Sequence, residues 1–172
     1  MARIEPANVE AAQGKQKELF ETVQAKLGRI PNMLATLGQS PTALESYLVL
    51  SSTLSHGLLD AKTREQIALV VGQQNSCGYC LSAHSAIGKM AGLTEEQIAQ
   101  AKCGIATDPK TAAILTLAKT IVDNRGNVTD AQVDEAKAQG VTDEELAEVV
   151  ANVALNIYTN YFNHLADPVV DF

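Results

Sequence analysis

Residues 60–92 read DAKTREQIALVVGQQNSCGYCLSAHSAIGKMAG and contain the most informative pattern in the 172-residue chain. Asp60 is a candidate N-cap for a first helix, because an Asp side chain can accept hydrogen bonds from the backbone N–H groups of a first turn. The helical pattern weakens from Gly72 to Ser76 and resumes over Cys77–Met90, where Gly92 ends it. The stretch therefore predicts two helices separated by a short break.

The other segments also repeat their apolar residues with the period of a helix, and none alternates as a strand does. The predicted helices cover Leu19–Leu27, Pro31–Leu37, Pro41–Gly57, Thr94–Lys102, Asp108–Asn124, Thr129–Gln139 and Thr142–Leu165. The connections between them are short, and no linker or repeat interrupts the pattern. We therefore predict an all-α, single-domain helical bundle that spans residues 1–172.

Composition and charge narrow the classes of function. The net charge is −7 and the pI is about 4.9, so an acidic surface would repel nucleic acid and anionic lipid. The longest apolar runs, such as Ile67–Val71, are too short to span a bilayer. The first residues carry charges and a proline where a signal peptide needs an apolar run. We expect a cytoplasmic protein with no nucleic-acid or membrane partner.

Three cysteines in a reducing compartment do not form a disulfide scaffold. Cys77 and Cys80 are three residues apart, which places both sulfurs on one helix face and allows a disulfide between them. Asn75 or Ser76 could cap the helix that begins here, and its N-terminus would favour thiolates. The pair therefore indicates redox chemistry. Cys103, alone near a helix end, is predicted to be a packed small apolar residue.

His84 lies one helical turn beyond Cys80, on the same face, where an imidazole could accept the thiol proton. Glu65 precedes Cys77 by twelve residues, which in one continuous helix is roughly 18 Å along the axis. If the chain reverses between Gly72 and Ser76, antiparallel packing would bring Glu65 near His84. The carboxylate would then orient the imidazole and complete a proton relay.

The order Glu65, Cys77-Gly-Tyr-Cys80 and Leu-Ser-Ala-His84 resembles the core signature of the alkylhydroperoxidase D family, within the carboxymuconolactone decarboxylase-like superfamily. The resemblance covers Asp60 to Gly92. The segment Asn160-Tyr-Phe-Asn-His164 is similar to uncharacterised peroxidase-related members. Tyr79 departs from the family pattern, which has a second histidine before the distal cysteine.

This resemblance implies a thiol-dependent peroxidase that reduces hydrogen peroxide or organic hydroperoxides through a Cys77/Cys80 dithiol–disulfide cycle. It implies that Cys80 is the peroxidatic thiol, Cys77 the resolving thiol, and Glu65 and His84 the proton relay. It also implies a dithiol reductant, such as a lipoyl-bearing or thioredoxin-like protein, no haem, flavin or metal, and a homo-oligomer (trimer or hexamer). The local physics differs in part, because Cys77 is nearer the helix start, is expected to be the more exposed thiol, and holds the position of the attacking cysteine in thioredoxin-like CxxC motifs. We reconcile the two by role: Cys80, next to His84, reacts with the peroxide, and Cys77 meets the external reductant.

Two other functions fit the same residues. The pair could serve a general disulfide oxidoreductase or redox sensor. Alternatively Cys77, Cys80 and His84 could bind zinc in a structural module, with Glu65 or Cys103 as a fourth ligand, although this spacing is not a recognised zinc pattern. His164, together with Asn160 and Asn163, fits either a polar helix face or part of a pocket or subunit contact, and we favour the structural interpretation.

Overall fold

Nine helices and no strand form within residues 2–172, the part of the chain that the computed structural model describes. The predicted all-α fold class is confirmed. The helices are α1 Gly14–Leu27, α2 Asn32–Leu37, α3 Pro41–Leu54, α4 Ala61–Gln74, α5 Gly78–Met90, α6 Glu95–Lys102, α7 Pro109–Asp123, α8 Asp130–Ala138 and α9 Asp143–Ala166.

Side-chain caps explain where most of these helices begin. Asp60 and Asp108 each accept a 2.8 Å hydrogen bond from the backbone N–H three residues further on. Thr94, Thr129 and Thr142 each form a capping box with the Gln or Glu three residues later. The sequence prediction therefore located the starts of α4 and α6–α9 within a residue.

The end of α3 differs from the prediction. The helix stops at Leu54 rather than at Gly57. The carboxylate of Glu148, on α9, accepts hydrogen bonds from the N–H groups of Leu58 and Leu59, which ties this loop to α9. A Cβ at Gly57 would lie 2.5 Å from that carboxylate. Gly57 therefore permits a close approach and is not a helix cap.

Helix α4 is central and packs against α5, α6, α7 and α9. Its residues 67–71 are almost completely buried. One apolar cluster surrounds α4 on the side of α6–α9, and a second is built mainly from α1, α2, α3 and α5. Cys77 and Cys80 belong to the second cluster, so the cysteine pair is held in a packed interior rather than on a loop.

The chain reverses direction between α4 and α5. Ser76 takes a left-handed conformation (φ 54°), and the N–H of Cys77 donates back to the carbonyl of Gly72 at 2.9 Å. This is the hydrogen-bond pattern of a helix C-terminus that ends in a left-handed residue. Helix α4 continues through Gly72 to Gln74, so the break is later than the composition suggested. Because the reversal is tight, α5 runs back along α4.

Helix α9 is the longest element, with 24 residues. Its buried face carries Asn152, Asn156, Asn160 and Asn163 among apolar residues. In the described part of the chain, no helix combines the length and the apolar character that crossing a membrane requires.

Candidate active site at the Cys77–Cys80 pair

Cys77 and Cys80 are joined by a disulfide, with their Cα atoms 5.3 Å apart. Cys77 is itself the N-cap of α5, and its sulfur accepts a 3.3 Å hydrogen bond from the N–H of Cys80. The predicted capping by Asn75 or Ser76 is therefore wrong, because Ser76 is occupied in the turn. Cys77 is 1% exposed and Cys80 3% exposed, so the expectation that Cys77 is the more exposed thiol is also wrong.

His84 and Glu65 form a close pair beside the disulfide. Nδ1 of His84 lies 2.8 Å from Oε2 of Glu65, and both side chains are about one-fifth exposed. The reversal at Ser76 thus places a residue of α4 opposite a residue of α5. Because Glu65 occupies Nδ1, Nε2 is the ring nitrogen that remains for other partners.

A cavity of about 310 Å³ connects this pair to Cys80. One side of it is polar, with Glu65, His84 and Cys80, and the remainder includes apolar side chains such as Met33 and Leu155. Among residues 2–172 no hydrogen bond joins His84 to Cys80, although both line the cavity. The two residues therefore share the cavity without a hydrogen bond between them.

Tyr47, from α3, lines the same cavity. Burial raises the pKa of its hydroxyl above the ordinary value, and the negative charge of Glu65 raises it further. Tyr47 is therefore a neutral phenol beside the His84–Glu65 pair at physiological pH.

A second cavity, of about 340 Å³, lies on the other side of the disulfide. It is lined by Cys77 but not by Cys80, and Arg3 and His164 also border it. Tyr79 and Asn163 line both cavities and separate them. Each cysteine of the disulfide thus borders a different cavity.

Two amides of α9 donate to the sulfur of Cys80. Nδ2 of Asn160 lies 3.0 Å from it and Nδ2 of Asn163 lies 3.2 Å from it. These residues had been interpreted as structural, whereas the structure brings them into contact with the candidate site. The signal in the sequence is the recurrence of Asn at 152, 156, 160 and 163, which puts four amides on one face of an otherwise apolar helix.

Tyr79, which stands where the family has a second histidine, turns its hydroxyl towards the C-terminus. The hydroxyl donates to Asp171 at 2.7 Å and accepts a 3.2 Å hydrogen bond from the N–H of Met33. Burial raises the pKa of Tyr79 well above the usual range, and the hydrogen bond to Asp171 raises it further. The side chain serves as a wall between the cavities and an anchor for the C-terminal residues.

The remaining candidates lie outside the pair of cavities or at their edge. Cys103 is a free, exposed thiol at the end of α6, so the prediction that it is packed is wrong; the helix ends there and its side chain is exposed to solvent.

Nε2 of His164 lies 2.7 Å from the carbonyl of Asn75, at the cavity of Cys77. Within residues 2–172, no group of three or more His, Cys, Asp and Glu is arranged to hold a metal ion.

Comparison with known proteins agrees with this arrangement. The model of the Carboxymuconolactone decarboxylase family matches residues 41–106, which include the whole of α4 and α5. An uncharacterized protein of Haemophilus influenzae is 46% identical over 48 residues. That match covers 27% of this chain and only 42% of the Haemophilus protein.

Solved structures share the whole fold. An uncharacterized peroxidase-related protein with an alkylhydroperoxidase AhpD core, from Ralstonia eutropha JMP134, has a TM-score of 0.89 at 22% identity, covering 99% of this chain and 92% of that one. A peroxidase-related protein from Silicibacter sp. TM1040 has a TM-score of 0.83 at 20% identity, with 98% and 93% covered.

A third structure is that of the debrominase Bmp8, as a cysteine-to-alanine variant in complex with 2,3,4-tribromopyrrole. Its TM-score is 0.83 at 18% identity, covering 98% of this chain and 91% of that one. At these identities the structures establish the fold, which is the alkylhydroperoxidase D-like one. The match to the Carboxymuconolactone decarboxylase family model is confined to residues 41–106, the part of the chain that carries the cysteine pair.

Proposed function

We propose that this protein is a thiol-dependent peroxidase that reduces hydrogen peroxide or small organic hydroperoxides through Cys77 and Cys80. The observation that carries the proposal is the shared cavity: the sulfur of Cys80 borders the same space as the His84–Glu65 pair. A nucleophilic thiol and an oriented base facing one cavity are what thiol catalysis requires.

In the first step, the Cys80 thiolate attacks the terminal oxygen of the hydroperoxide. An S–O bond forms and the O–O bond breaks, leaving Cys80 as a sulfenic acid and releasing the alkoxide. The alkoxide takes a proton from the protonated imidazole of His84 and leaves as an alcohol. This proton is the one that the Cys80 thiol gave up earlier, so the relay returns to its starting state.

The proton passes between Cys80 and His84 through water in the cavity, because no hydrogen bond joins the two side chains. A water needs about 30 Å³ of liquid volume, so the cavity can hold both a water and a small substrate. Glu65 fixes the ring through Nδ1 and stabilises its protonated form.

In the second step, the Cys77 thiol attacks the sulfenic sulfur of Cys80, which forms the disulfide and releases water. A dithiol donor then restores the pair: its thiolate attacks Cys77, the disulfide opens and Cys80 leaves as a thiolate. The second thiol of the donor then attacks the mixed disulfide, which releases Cys77 as a thiol and the donor as a disulfide. The separate cavity beside Cys77 supports this division of roles, since it borders Cys77 and does not include Cys80. A lipoyl group or a thioredoxin-like protein has the required chemistry.

Reductive debromination is a second candidate, favoured by the fold shared with Bmp8 and by the apolar part of the cavity. Cys80 would take the halogen of a bromoaromatic as a sulfenyl bromide while the ring gains a proton. Cys77 would then displace bromide and form the same disulfide. Both candidate reactions use the same pair of cysteines and the same cavity. They can therefore be distinguished only by the substrate that the protein turns over.

The test measures turnover by the reduced protein with a dithiol as electron donor. Hydrogen peroxide, an aromatic hydroperoxide and 2,3,4-tribromopyrrole are compared, each with wild type, Cys80→Ser and the control Cys103→Ser. We expect hydroperoxide consumption by wild type and Cys103→Ser and its loss in Cys80→Ser. Turnover of the bromopyrrole alone would select the second candidate. Exchange with small disulfides alone would select a general disulfide oxidoreductase.

A further inference from the structure

Asn160 is held so that its amide N–H group faces the sulfur of Cys80. Its side chain is completely buried, and its Oδ1 accepts a 2.9 Å hydrogen bond from Nδ2 of Asn75. The carbonyl of Asn75 is in turn paired with the ring of His164. With its oxygen already engaged, the amide of Asn160 can only present its nitrogen to Cys80, at 3.0 Å.

Asn163 differs because the oxygen of its side-chain amide has no hydrogen-bond partner. Its side chain is 6% exposed, and its Nδ2 lies 3.2 Å from the sulfur of Cys80 and 3.9 Å from that of Cys77. Its Oδ1 is the one buried side-chain nitrogen or oxygen in the described chain without a hydrogen bond. An unsatisfied buried acceptor in a folded protein calls for an explanation.

Reduction of the disulfide creates the missing donor. When a dithiol opens the bond, it is itself oxidised to a disulfide, two electrons pass to the cysteine pair, and the pair retains one proton: Cys77 becomes S–H and Cys80 becomes a thiolate. The S–H group of Cys77 is a donor that the disulfide lacks. It forms next to the amide of Asn163, whose nitrogen already faces Cys80.

We propose that Asn160 and Asn163 form an amide clamp, in which both Nδ2 groups stabilise the thiolate of Cys80 while Oδ1 of Asn163 accepts the thiol proton of Cys77. The clamp rests on the proposed function in that it concerns the same two cysteines. It adds two catalytic residues that contact the reacting sulfur, because amide donors to an ionised sulfur form the stronger, charge-assisted hydrogen bonds.

The clamp also explains which cysteine attacks. The N-terminus of α5 by itself favours a thiolate at its first residues, where Cys77 is the cap. Two side-chain amides donate to the sulfur of Cys80, whereas the sulfur of Cys77 accepts the backbone N–H of Cys80 at 3.3 Å and has one side-chain amide at 3.9 Å. The helix terminus therefore favours a thiolate at Cys77, whereas the amides favour a thiolate at Cys80. Because two of the amide contacts to Cys80 are short, we infer that Cys80 is the thiolate.

Other charged or titratable groups surround the pair and must be held constant in a test. Those at the cavity of Cys80 are Tyr47 on α3, Arg64 and Glu65 on α4, and Tyr79 and His84 on α5. Those at the cavity of Cys77 are Arg3, His164 and Asp167. Substituting Asn160 or Asn163 by the similarly sized Leu changes none of these charges.

The test compares Asn160→Leu and Asn163→Leu with Asn156→Leu, all in a Cys103→Ser background that removes the exposed thiol. Asn156 is an equally buried amide of α9, but it donates to the carbonyl of Asn152 and contacts no sulfur. The thiol pKa is read from the pH dependence of alkylation, and the reduction potential from equilibrium with a dithiol buffer. Circular dichroism establishes that each variant is folded. None of these readouts uses peroxide.

We expect each clamp variant to lower the fraction of Cys80 thiolate at neutral pH by about tenfold, the worth of one hydrogen bond to a charged group. The disulfide should become harder to reduce, and a tenfold change in its equilibrium corresponds to about 30 mV more negative potential. Asn156→Leu should change neither quantity. A pKa and potential unchanged in folded clamp variants would overturn the proposal.

A further measurement needs no clamp variant. Peptide mapping of the reduced Cys103→Ser protein, after brief alkylation near neutral pH, identifies the cysteine that is the thiolate. Modification at Cys80 first supports the clamp, and modification at Cys77 first overturns it. Since peroxide is absent throughout, failure of the clamp and failure of the peroxidase proposal give different results: the first changes the order of alkylation, the second the turnover.

Discussion

Nδ1 of His84 lies 2.8 Å from Oε2 of Glu65, although the two residues are 19 positions apart and belong to different helices. The contact exists because Ser76 adopts a left-handed conformation that folds α5 back along α4. It leaves Nε2 of His84 for the cavity that Cys80 also lines. This pairing makes the imidazole the base with which the chain would activate Cys80.

Replacing His84 by Ala should lower the peroxidase rate at neutral pH by ~10²-fold or more, the usual contribution of a positioned base. The side chain is partly exposed, so the fold should remain intact. Raising the pH should partly restore the rate, since hydroxide then generates the thiolate that the imidazole no longer provides. Steady-state rates from neutral to alkaline pH provide the measurement. A folded variant with wild-type activity at neutral pH would disprove the relay.

Replacing Glu65 by Gln should reduce the rate by a similar factor, because the amide cannot stabilise a protonated imidazole. The double variant Glu65→Gln/His84→Ala should be little worse than either single variant, since removal of one member already disables the unit. A double-mutant cycle on kcat/KM measures this coupling. Fully additive losses would mean that the two residues act independently.

The motif itself could be predicted from sequence because its information is local. The residues of the Cys-Gly-Tyr-Cys segment and His84 are close together along the chain. The position of Glu65 beside His84 follows if the chain reverses once, between Gly72 and Ser76. Helix starts were predictable for the same reason, since a cap and its partner are three residues apart. The prediction of a packed Cys103 rests on its residue type alone, whereas its exposure at the end of α6 depends on how that helix end sits in the fold.

The amides could not be assigned in this way. Asn160 and Asn163 are 80 and 83 residues from Cys80 in the chain, and only the docking of α9 on α5 brings them to its sulfur. Their spacing identified a polar helix face but not what that face would contact. The same holds for Tyr79, whose hydrogen bond to Asp171 spans 92 residues.

Replacing Tyr79 by Phe should destabilise the fold by about 1–3 kcal/mol, because the buried N–H of Met33 loses its acceptor and Asp171 loses one of its hydrogen bonds. The ring that separates the cavities is retained, so the peroxidase rate should change little. Chemical denaturation measures the loss. Tyr161→Phe is the matched control, because this residue is 62% exposed and should leave the free energy of unfolding unchanged.

Replacing Tyr79 by Phe should also change how the free energy of unfolding depends on pH above neutrality. The pKa of Tyr79 is raised in the folded state, chiefly by burial. Its contribution is therefore complete below the ordinary tyrosine pKa of ~10 and is lost as the pH rises above it. We expect the stability of wild type to fall above pH ~10 and that of Tyr79→Phe to fall less steeply. Identical slopes would show that Tyr79 ionises equally in both states.

We predict that the chain assembles into a homo-oligomer, a trimer or hexamer. Several large apolar side chains are exposed, with Met90 at 87% the most prominent, and such residues commonly mark subunit contacts. Sedimentation at micromolar concentration should give a multiple of 18.3 kDa, and Met90→Glu should weaken the assembly if this residue is part of the contact. A wild-type protein that sediments as a monomer would contradict the prediction.

The most direct measurement is a single turnover without any reductant. Fully reduced protein is mixed with one equivalent of an organic hydroperoxide, and the alcohol, the remaining thiols and the oxidised peptides are quantified. We expect one alcohol per chain, the loss of two thiols, a Cys77–Cys80 disulfide, and Cys103 still reduced. Unconsumed hydroperoxide, or oxidation confined to Cys103, would show that the cysteine pair is not a peroxidase centre.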